Sequence, residues 1–110
     1  MEQFSIVAAT ESHVGFSQQI VALIADSAQK RGTGIARRSP EYITSKILEG
    51  KAVIALSSKS ELAGFCYIES WGHDRYVANS GLIVSEKFRN QGLAHKIKAK
   101  AYKLSRKKFP

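Results

Sequence analysis

The sequence predicts a single α+β domain in which helices flank a mostly antiparallel sheet. The chain has 110 residues, 44% of them hydrophobic, which is the size and composition of one small globular domain. Three apolar runs joined by short polar turns indicate an antiparallel meander. Apolar residues at helical spacing before and after these runs indicate helices on both sides of it in sequence. We therefore treat residues 1–110 as one domain.

The part before the meander predicts a short strand and then two helices. Residues 4–8 are the strand candidate, and the apolar spacing over residues 14–30 predicts an amphipathic helix. Ser39 suits the N-cap of a second helix and Pro40 its first position, and Gly50 is expected to end it. The apolar stripe of this helix is predicted to comprise Tyr42, Ile43, Ile47 and Leu48.

The meander itself is predicted from three strand candidates in a row. They are Ala52–Leu56, Leu62–Trp71 and Tyr76–Val84, and the polar segments 57–61 and 72–75 between them have hairpin length. A loop over residues 85–91 then leads into a helix that begins near Gly92.

Positive charge is concentrated at the end of the chain. The formal net charge is +8, and residues 87–110 contain nine Lys or Arg and no Asp or Glu. Four of these lysines recur at helical spacing, which indicates a basic stripe on the last helix: Lys96, Lys100, Lys103 and Lys107. A partner rich in phosphate is expected, and coenzyme A, nucleic acid and an acidic membrane surface all qualify from charge alone.

Cysteine content and hydropathy exclude several classes of protein. The single cysteine, Cys66, allows no internal disulfide and no cysteine-based metal site, and its apolar surroundings predict a buried side chain. No apolar run reaches the roughly 18 residues that a membrane span needs. The N-terminus lacks the pattern of a secretory signal. We expect a cytoplasmic protein without a membrane partner.

The most informative segment joins the third meander strand to the last helix. The apolar strand end Leu82–Ile83–Val84 is followed by Arg89-x-x-Gly92-x-Ala94 at the helix start. The first amides of a helix have no internal partner and carry partial positive charge, so they bind phosphate. Gly92 lets the backbone approach the phosphates closely. The segment predicts a pyrophosphate site.

This segment resembles the central motif of the GCN5-related N-acetyltransferase (GNAT) superfamily, Arg/Gln-x-x-Gly-x-Gly/Ala after an apolar strand. The resemblance covers the whole chain and implies acetyl-CoA as cofactor and an N-acetyltransferase activity on a primary amine. It implies that the strand end contacts the pantetheine arm, that the amide of Val84 polarises the thioester, and that Lys96 or Lys100 reaches phosphate. The cofactor-binding residues that it implies are Leu82, Ile83, Val84, Arg89, Asn90, Gln91, Gly92, Leu93, Ala94 and Lys96.

The resemblance also implies that the chain holds only part of that fold, because the family fold normally continues beyond the motif helix. Tyr102 does not match the tyrosine that often protonates the departing thiolate. We expect a fold truncated after this helix and a chain that is weakly active or inactive by itself. We also expect a homodimer that covers the open side of the sheet, or else marginal stability that restoring the missing half would relieve.

The acceptor side is predicted less specifically. The family's usual carboxylate early on the motif strand is replaced by Asn79 and Ser80, so Glu69 and His73 are the candidates for proton transfer. The candidates for acceptor binding are Arg37, Arg38 and Trp71. The stretch around the two arginines resembles acetyltransferases near arginine-biosynthesis genes, which implies an amino-acid acceptor such as glutamate.

Two other functions stay open. A non-catalytic acyl-CoA-binding module would use the same cofactor site without acceptor chemistry. A nucleic-acid-binding domain would use the basic helix, but that interpretation leaves the Gly92 loop and its strand unexplained, so nucleic acid is not the expected partner. Separate measurements of acetyl-CoA affinity and turnover would distinguish the three.

Overall fold

A computed structural model of the chain describes residues 3–31, 39–71 and 76–108, with side chains described there except for 27–31, 70–71, 76–81 and 108. The element order is β1 (Ser5–Ala8), a 3-10 helix (Glu11–Phe16), α1 (Ser17–Arg31), α2 (Pro40–Leu48), β2 (Ala52–Leu56), β3 (Leu62–Trp71), β4 (Tyr76–Val84), a second 3-10 helix (Glu86–Phe88) and α3 (Leu93–Lys108).

The four strands form one antiparallel sheet in the order β1-β2-β3-β4. The predicted meander is confirmed, with the same bounds for all three of its strands. The structure adds β1 as the neighbour of β2, with Val7 opposite Ile54. The α+β class is therefore also confirmed.

The helices cover both faces of the sheet, and the alternation of side chains along the strands divides the core accordingly. One cluster lies on the side of α1 and α2 and includes Ile20, Ile43, Ile54, Phe65 and Tyr67. A second cluster lies on the side of α3 and includes Val53, Cys66, Leu93, Ile97 and Ala101. Cys66 is fully buried, as predicted.

Two helical details differ from the sequence prediction. The segment predicted as one helix over 14–30 opens with the 3-10 turn, in which the His13 ring nitrogen Nδ1 accepts the Thr10 amide at 2.9 Å, and becomes α-helical only at Ser17. Leu48, predicted in the apolar stripe of α2, is 60% exposed because it lies on the side of the helix shared with Glu41 and Thr44, whereas Ile43 and Ile47 are buried.

The start of α2 agrees with the prediction. The Ser39 hydroxyl accepts the Tyr42 amide at 3.1 Å, and Pro40 occupies the first turn. Within the described ranges, no helix combines the length and apolar character needed to cross a membrane.

Candidate functional site

A bulge in β4 overlaps the start of the strand end that the sequence associates with the cofactor. Phe65 pairs with Ile83, but Tyr67 pairs with Ser80, so two residues of β4 lie opposite Cys66 alone. Such a bulge bends its strand and interrupts regular pairing with the neighbour. Leu82 is one of these two residues, so the segment Leu82–Ile83–Val84 begins inside the bulge. Gly81, an isolated glycine in an apolar strand, was the sequence signal for this bulge.

The loop after β4 is fixed to the sheet by one apolar and one polar contact. Phe88 is buried and packs edge-on against Phe4, with 5.5 Å between ring centroids. The Arg89 Nε donates to the carbonyl oxygen of Val84 at 3.3 Å, which ties the end of the loop back to the end of the strand. The motif arginine thus holds the loop in place.

Two residues of the loop have left-handed backbone conformations. Asn90 has φ of 66° and Gly92 has φ of 72°. Asparagine tolerates this region and glycine adopts it without strain. A Cβ built on Gly92 would meet no atom within 4 Å, so the space beside this position is open. The conformation explains the need for glycine, and the open space leaves room for a ligand.

The backbone amides at the start of α3 are the candidate anion-binding groups. The first intrahelical bond of α3 runs from the Lys96 amide to the Gly92 carbonyl at 3.3 Å. Within the described residues, no backbone acceptor is found for the amides of Gln91, Gly92, Leu93 and Ala94. These amides, together with the positive end of the helix dipole, can bind an anion.

A cavity of about 350 Å³ lies where the strand end meets the helix start. Eight of the ten predicted cofactor-binding residues line it, and Gln91 and Lys96 do not. Phe88, which was not predicted as a site residue, also lines the cavity. The feature of the sequence that could have indicated it is an aromatic residue in an otherwise polar loop. The lining residues are Leu82, Ile83, Val84, Phe88, Arg89, Asn90, Gly92, Leu93 and Ala94. The apolar strand end and the polar loop therefore share one concave surface.

The basic stripe of α3 begins beside this cavity. Lys96, Lys103 and Lys107 are exposed and Lys100 is half-buried. Over the part of the chain with described side chains, none of the four is in a salt bridge. The charge of Lys96 is available to a phosphate-bearing ligand near the helix start, whereas Lys103 and Lys107 lie about 15 and 21 Å further along the helix axis.

On the opposite side of the sheet, Glu69 meets two residues of α2. Its Oε1 accepts a hydrogen bond from the Tyr42 hydroxyl, and its Oε2 lies 3.5 Å from the Lys46 Nζ. The Glu69 side chain is 30% exposed and that of Lys46 is 11% exposed. Glu69 was predicted as a site residue, whereas Tyr42 was predicted only as part of the apolar stripe and Lys46 was not predicted to have a role. Tyr42 and Lys46 are four residues apart on one helix, and this spacing is the feature of the sequence that could have indicated a shared partner.

The other acceptor-side candidates are described in part or not at all. Arg37, Arg38 and His73 lie outside the described residues. The backbone of Trp71 belongs to β3, but its side chain is not described. The roles predicted for these four residues remain predictions.

Comparison with known proteins supports the fold that the motif implied. No protein-family model matches the chain, and no curated protein matches it in sequence. N-acetylglutamate synthase from Neisseria gonorrhoeae, solved with coenzyme A and N-acetyl-glutamate, superposes with a TM-score of 0.76 at 23% identity. The match covers 96% of this chain and 23% of that chain, so the present chain spans about a quarter of that protein.

Two shorter acetyltransferases superpose with slightly lower TM-scores. A GNAT-family acetyltransferase from Staphylococcus aureus Mu50 matches with a TM-score of 0.71 at 14% identity, over 96% of this chain and 68% of that chain. Diaminobutyrate acetyltransferase EctA from Paenibacillus lautus, solved with L-2,4-diaminobutyric acid and coenzyme A, matches with a TM-score of 0.70 at 14% identity, over 90% and 56%. The chain is thus an α+β protein with the GNAT fold. The resemblance to that superfamily is confirmed at the level of the fold.

Proposed function

We propose that this chain is the acetyl-CoA-binding part of an N-acetyltransferase that acetylates a small-molecule primary amine. The cavity at the end of β4 carries this proposal, because the helix-start amides, a left-handed glycine and an apolar strand end converge there. Acetyl-CoA has the matching parts in the matching order: a pyrophosphate, an arm with amide groups and an activated thioester.

The residues of the cavity would hold the cofactor by distinct interactions. The amides from Gln91 to Ala94 would bind the pyrophosphate, assisted by the dipole of α3. Lys96 or Lys100 would add charge to the phosphates. The backbone of Leu82–Ile83–Val84 would pair with the pantetheine arm. In this arrangement, the amide of Val84 would polarise the thioester carbonyl.

The acceptor is proposed to be an amino acid, with glutamate as the leading candidate. Two of the superposed enzymes are described with amino-acid ligands, N-acetyl-glutamate and L-2,4-diaminobutyric acid, which supports this class. Arg37 and Arg38 would bind an acceptor carboxylate, and Trp71 would wall the pocket. Glu69 or His73 would take the proton of the amine. The predicted homodimer is also part of this proposal, and sedimentation at micromolar concentration would test it.

A matched pair of glycine substitutions tests the cofactor site. Gly92→Ala places a Cβ at φ of 72°, whereas Gly15→Ala places one in equally open space at a position without positive φ. A left-handed alanine costs about 1–2 kcal/mol, so a loop that relaxes away from this conformation should bind acetyl-CoA roughly 5- to 30-fold more weakly. Gly15→Ala should bind acetyl-CoA like the unmodified chain. Titration calorimetry measures both affinities.

Equal acetyl-CoA affinity for the two variants would contradict the proposed site. A turnover assay with amino-acid acceptors then separates enzyme from binding module. Tight acetyl-CoA binding without any acetyl transfer would favour a non-catalytic acyl-CoA-binding domain, which uses the same cavity.

A further inference from the structure

The contacts that α2 makes with Glu69 of β3 lead to an inference about how the acceptor amine is bound in the proposed reaction. We propose that Tyr42 and Lys46 are positioning residues for Glu69, and that the part of its carboxylate left open to solvent receives the acceptor amine. This inference rests on the proposed function.

Both carboxylate oxygens of Glu69 are contacted by side chains of α2. The Tyr42 hydroxyl donates to Oε1, and the Lys46 ammonium lies 3.5 Å from Oε2. Residues four apart on a helix project from the same face, so α2 presents both groups together. Fixing both oxygens removes the rotational freedom that an exposed glutamate normally keeps.

The two donors are themselves fixed by packing. The Tyr42 ring lies edge-on to the Tyr67 ring, with 5.7 Å between centroids, and the Lys46 Nζ lies 5.4 Å from the Tyr42 centroid. The Lys46 side chain is only 11% exposed. A buried ammonium is costly unless it is paired, so its pairing with Glu69 is enforced by burial.

In this arrangement, the Glu69 carboxylate can still accept further hydrogen bonds. A carboxylate can accept about four hydrogen bonds, and among the described side chains each Glu69 oxygen has one donor group near it. With 30% of its side chain exposed, Glu69 can accept further N–H groups from solvent. An ion pair at a helix–sheet interface is seldom the most stabilising choice there, which favours a functional explanation for it.

The position of Glu69 along the sheet suits the acceptor end of the reaction. The cavity strand end pairs with β3 around Phe65, and Glu69 lies four residues further along the same strand. That separation is about 13 Å at the usual rise of a strand. A pantetheine arm that enters at the α3 loop and follows β4 backwards extends towards the level of Glu69.

The ligand class that fits is a primary amine that arrives as an ammonium. Such an acceptor gives one proton to Glu69 before attack. Its nitrogen then forms a bond to the acetyl carbon of acetyl-CoA while the carbon–sulfur bond breaks and sulfur keeps the electron pair. The second proton lost by nitrogen neutralises the thiolate. Tyr42 and Lys46 take no part in these bond changes and act by orienting the carboxylate.

Single-turnover acetyl transfer on the full chain, followed over long reaction times by mass spectrometry with an amino-acid panel so that the weak activity expected of it is measured, tests the inference. Glu69→Gln should lower the rate at least ~100-fold, the range typical of a lost general base. Tyr42→Phe and Lys46→Met should each lower it about tenfold or more, with acetyl-CoA affinity unchanged. On a Glu69→Gln background, neither should lower it further, because they act through that carboxylate.

Matched controls come from surface residues of the same types. Tyr102→Phe, Lys59→Met and Glu61→Gln should keep the wild-type rate. If Lys46→Met does not fold by circular dichroism, Tyr42→Phe decides the question alone. Wild-type rates in folded Tyr42→Phe and Lys46→Met, or losses that multiply with that of Glu69→Gln, would overturn the inference.

The test also separates this inference from the cofactor site. A wild-type chain that binds acetyl-CoA at the Gly92 loop but transfers no acetyl group would overturn the inference and leave the cofactor site intact. A chain that binds no acetyl-CoA would overturn the proposed function, and the inference with it.

Discussion

The absence of a side chain at Gly64 allows α3 to lie close to the sheet. A Cβ built on Gly64 would come within 2.5 Å of the Ile97 Cδ1 and 3.0 Å of the Ile83 carbonyl oxygen. The first atom belongs to a fully buried side chain, and the second to the backbone of the cavity strand. Gly64→Ala should therefore push both α3 and β4 away from β3.

The size of the effect follows from these two contacts. Overpacking of a close-packed core by one methyl group costs about 1–3 kcal/mol, and the entropy gained by replacing glycine offsets about 0.4–1 kcal/mol of it. We expect a net loss of about 1–2 kcal/mol, which lowers Tm by roughly 4–16 °C in a domain of this size. The loss should be smaller on an Ile97→Val background, because valine lacks the Cδ1 atom that the new methyl group meets.

Urea unfolding of the wild type, both single variants and the double variant measures this coupling as a double-mutant cycle. Ile97→Val alone should cost about 0.5–1.5 kcal/mol. The double variant should be less destabilised than the sum of the two singles by at least ~0.5 kcal/mol. A Gly64→Ala variant as stable as the wild type, or strict additivity in the cycle, would refute the packing argument.

Two further predictions concern local stability and the cysteine. Ser39→Ala should cost about 1 kcal/mol of unfolding free energy because it removes the hydrogen bond to the Tyr42 amide, while Ser39→Asp should retain most of the stability; chemical denaturation of both variants checks this. Cys66 should react with a thiol reagent only as fast as the fold opens, because it is fully buried, and rapid labelling in native buffer would contradict this.

The cavity proposed as the cofactor site could be predicted because its residues are local in sequence. Strand, loop and helix start follow one another from Leu82 to Lys96, and each carries its own signal: an apolar run, a glycine and a helical apolar period. The chemistry of a helix N-terminus depends on backbone groups that every such segment has. The register of the sheet could not be predicted in the same way: Gly81 is compatible with a bulge in β4, but which residues lie opposite each other is established only by the pairing with β3.

The proposed acceptor side was harder to predict from the sequence because it depends on contacts between residues far apart in sequence. Tyr42 and Glu69 are separated by 27 positions, and their contact requires α2 to lie on the β3 face of the sheet. An aromatic residue at helical spacing is more often part of the core than a hydrogen-bond donor, which is why the sequence pattern predicts Tyr42 in the apolar stripe of α2. The T-shaped contact with Tyr67 shows that its ring does belong to the core, while its hydroxyl reaches Glu69.

The proposed cofactor site and the proposed acceptor site both contact β3. Gly64 on this strand determines how closely the motif helix approaches, and Glu69, five residues further along, is fixed by α2 from the other face. A strand that is buried on both faces transmits small displacements instead of absorbing them, because its packing leaves little free volume. A change at Gly64 should therefore reach beyond stability and alter the approach of Glu69 to the cofactor strand. In the proposed reaction, the distance between the cofactor and the acceptor would depend on β3, on which Gly64 and Cys66 face α3 whereas Phe65 and Tyr67 face the side of α1 and α2.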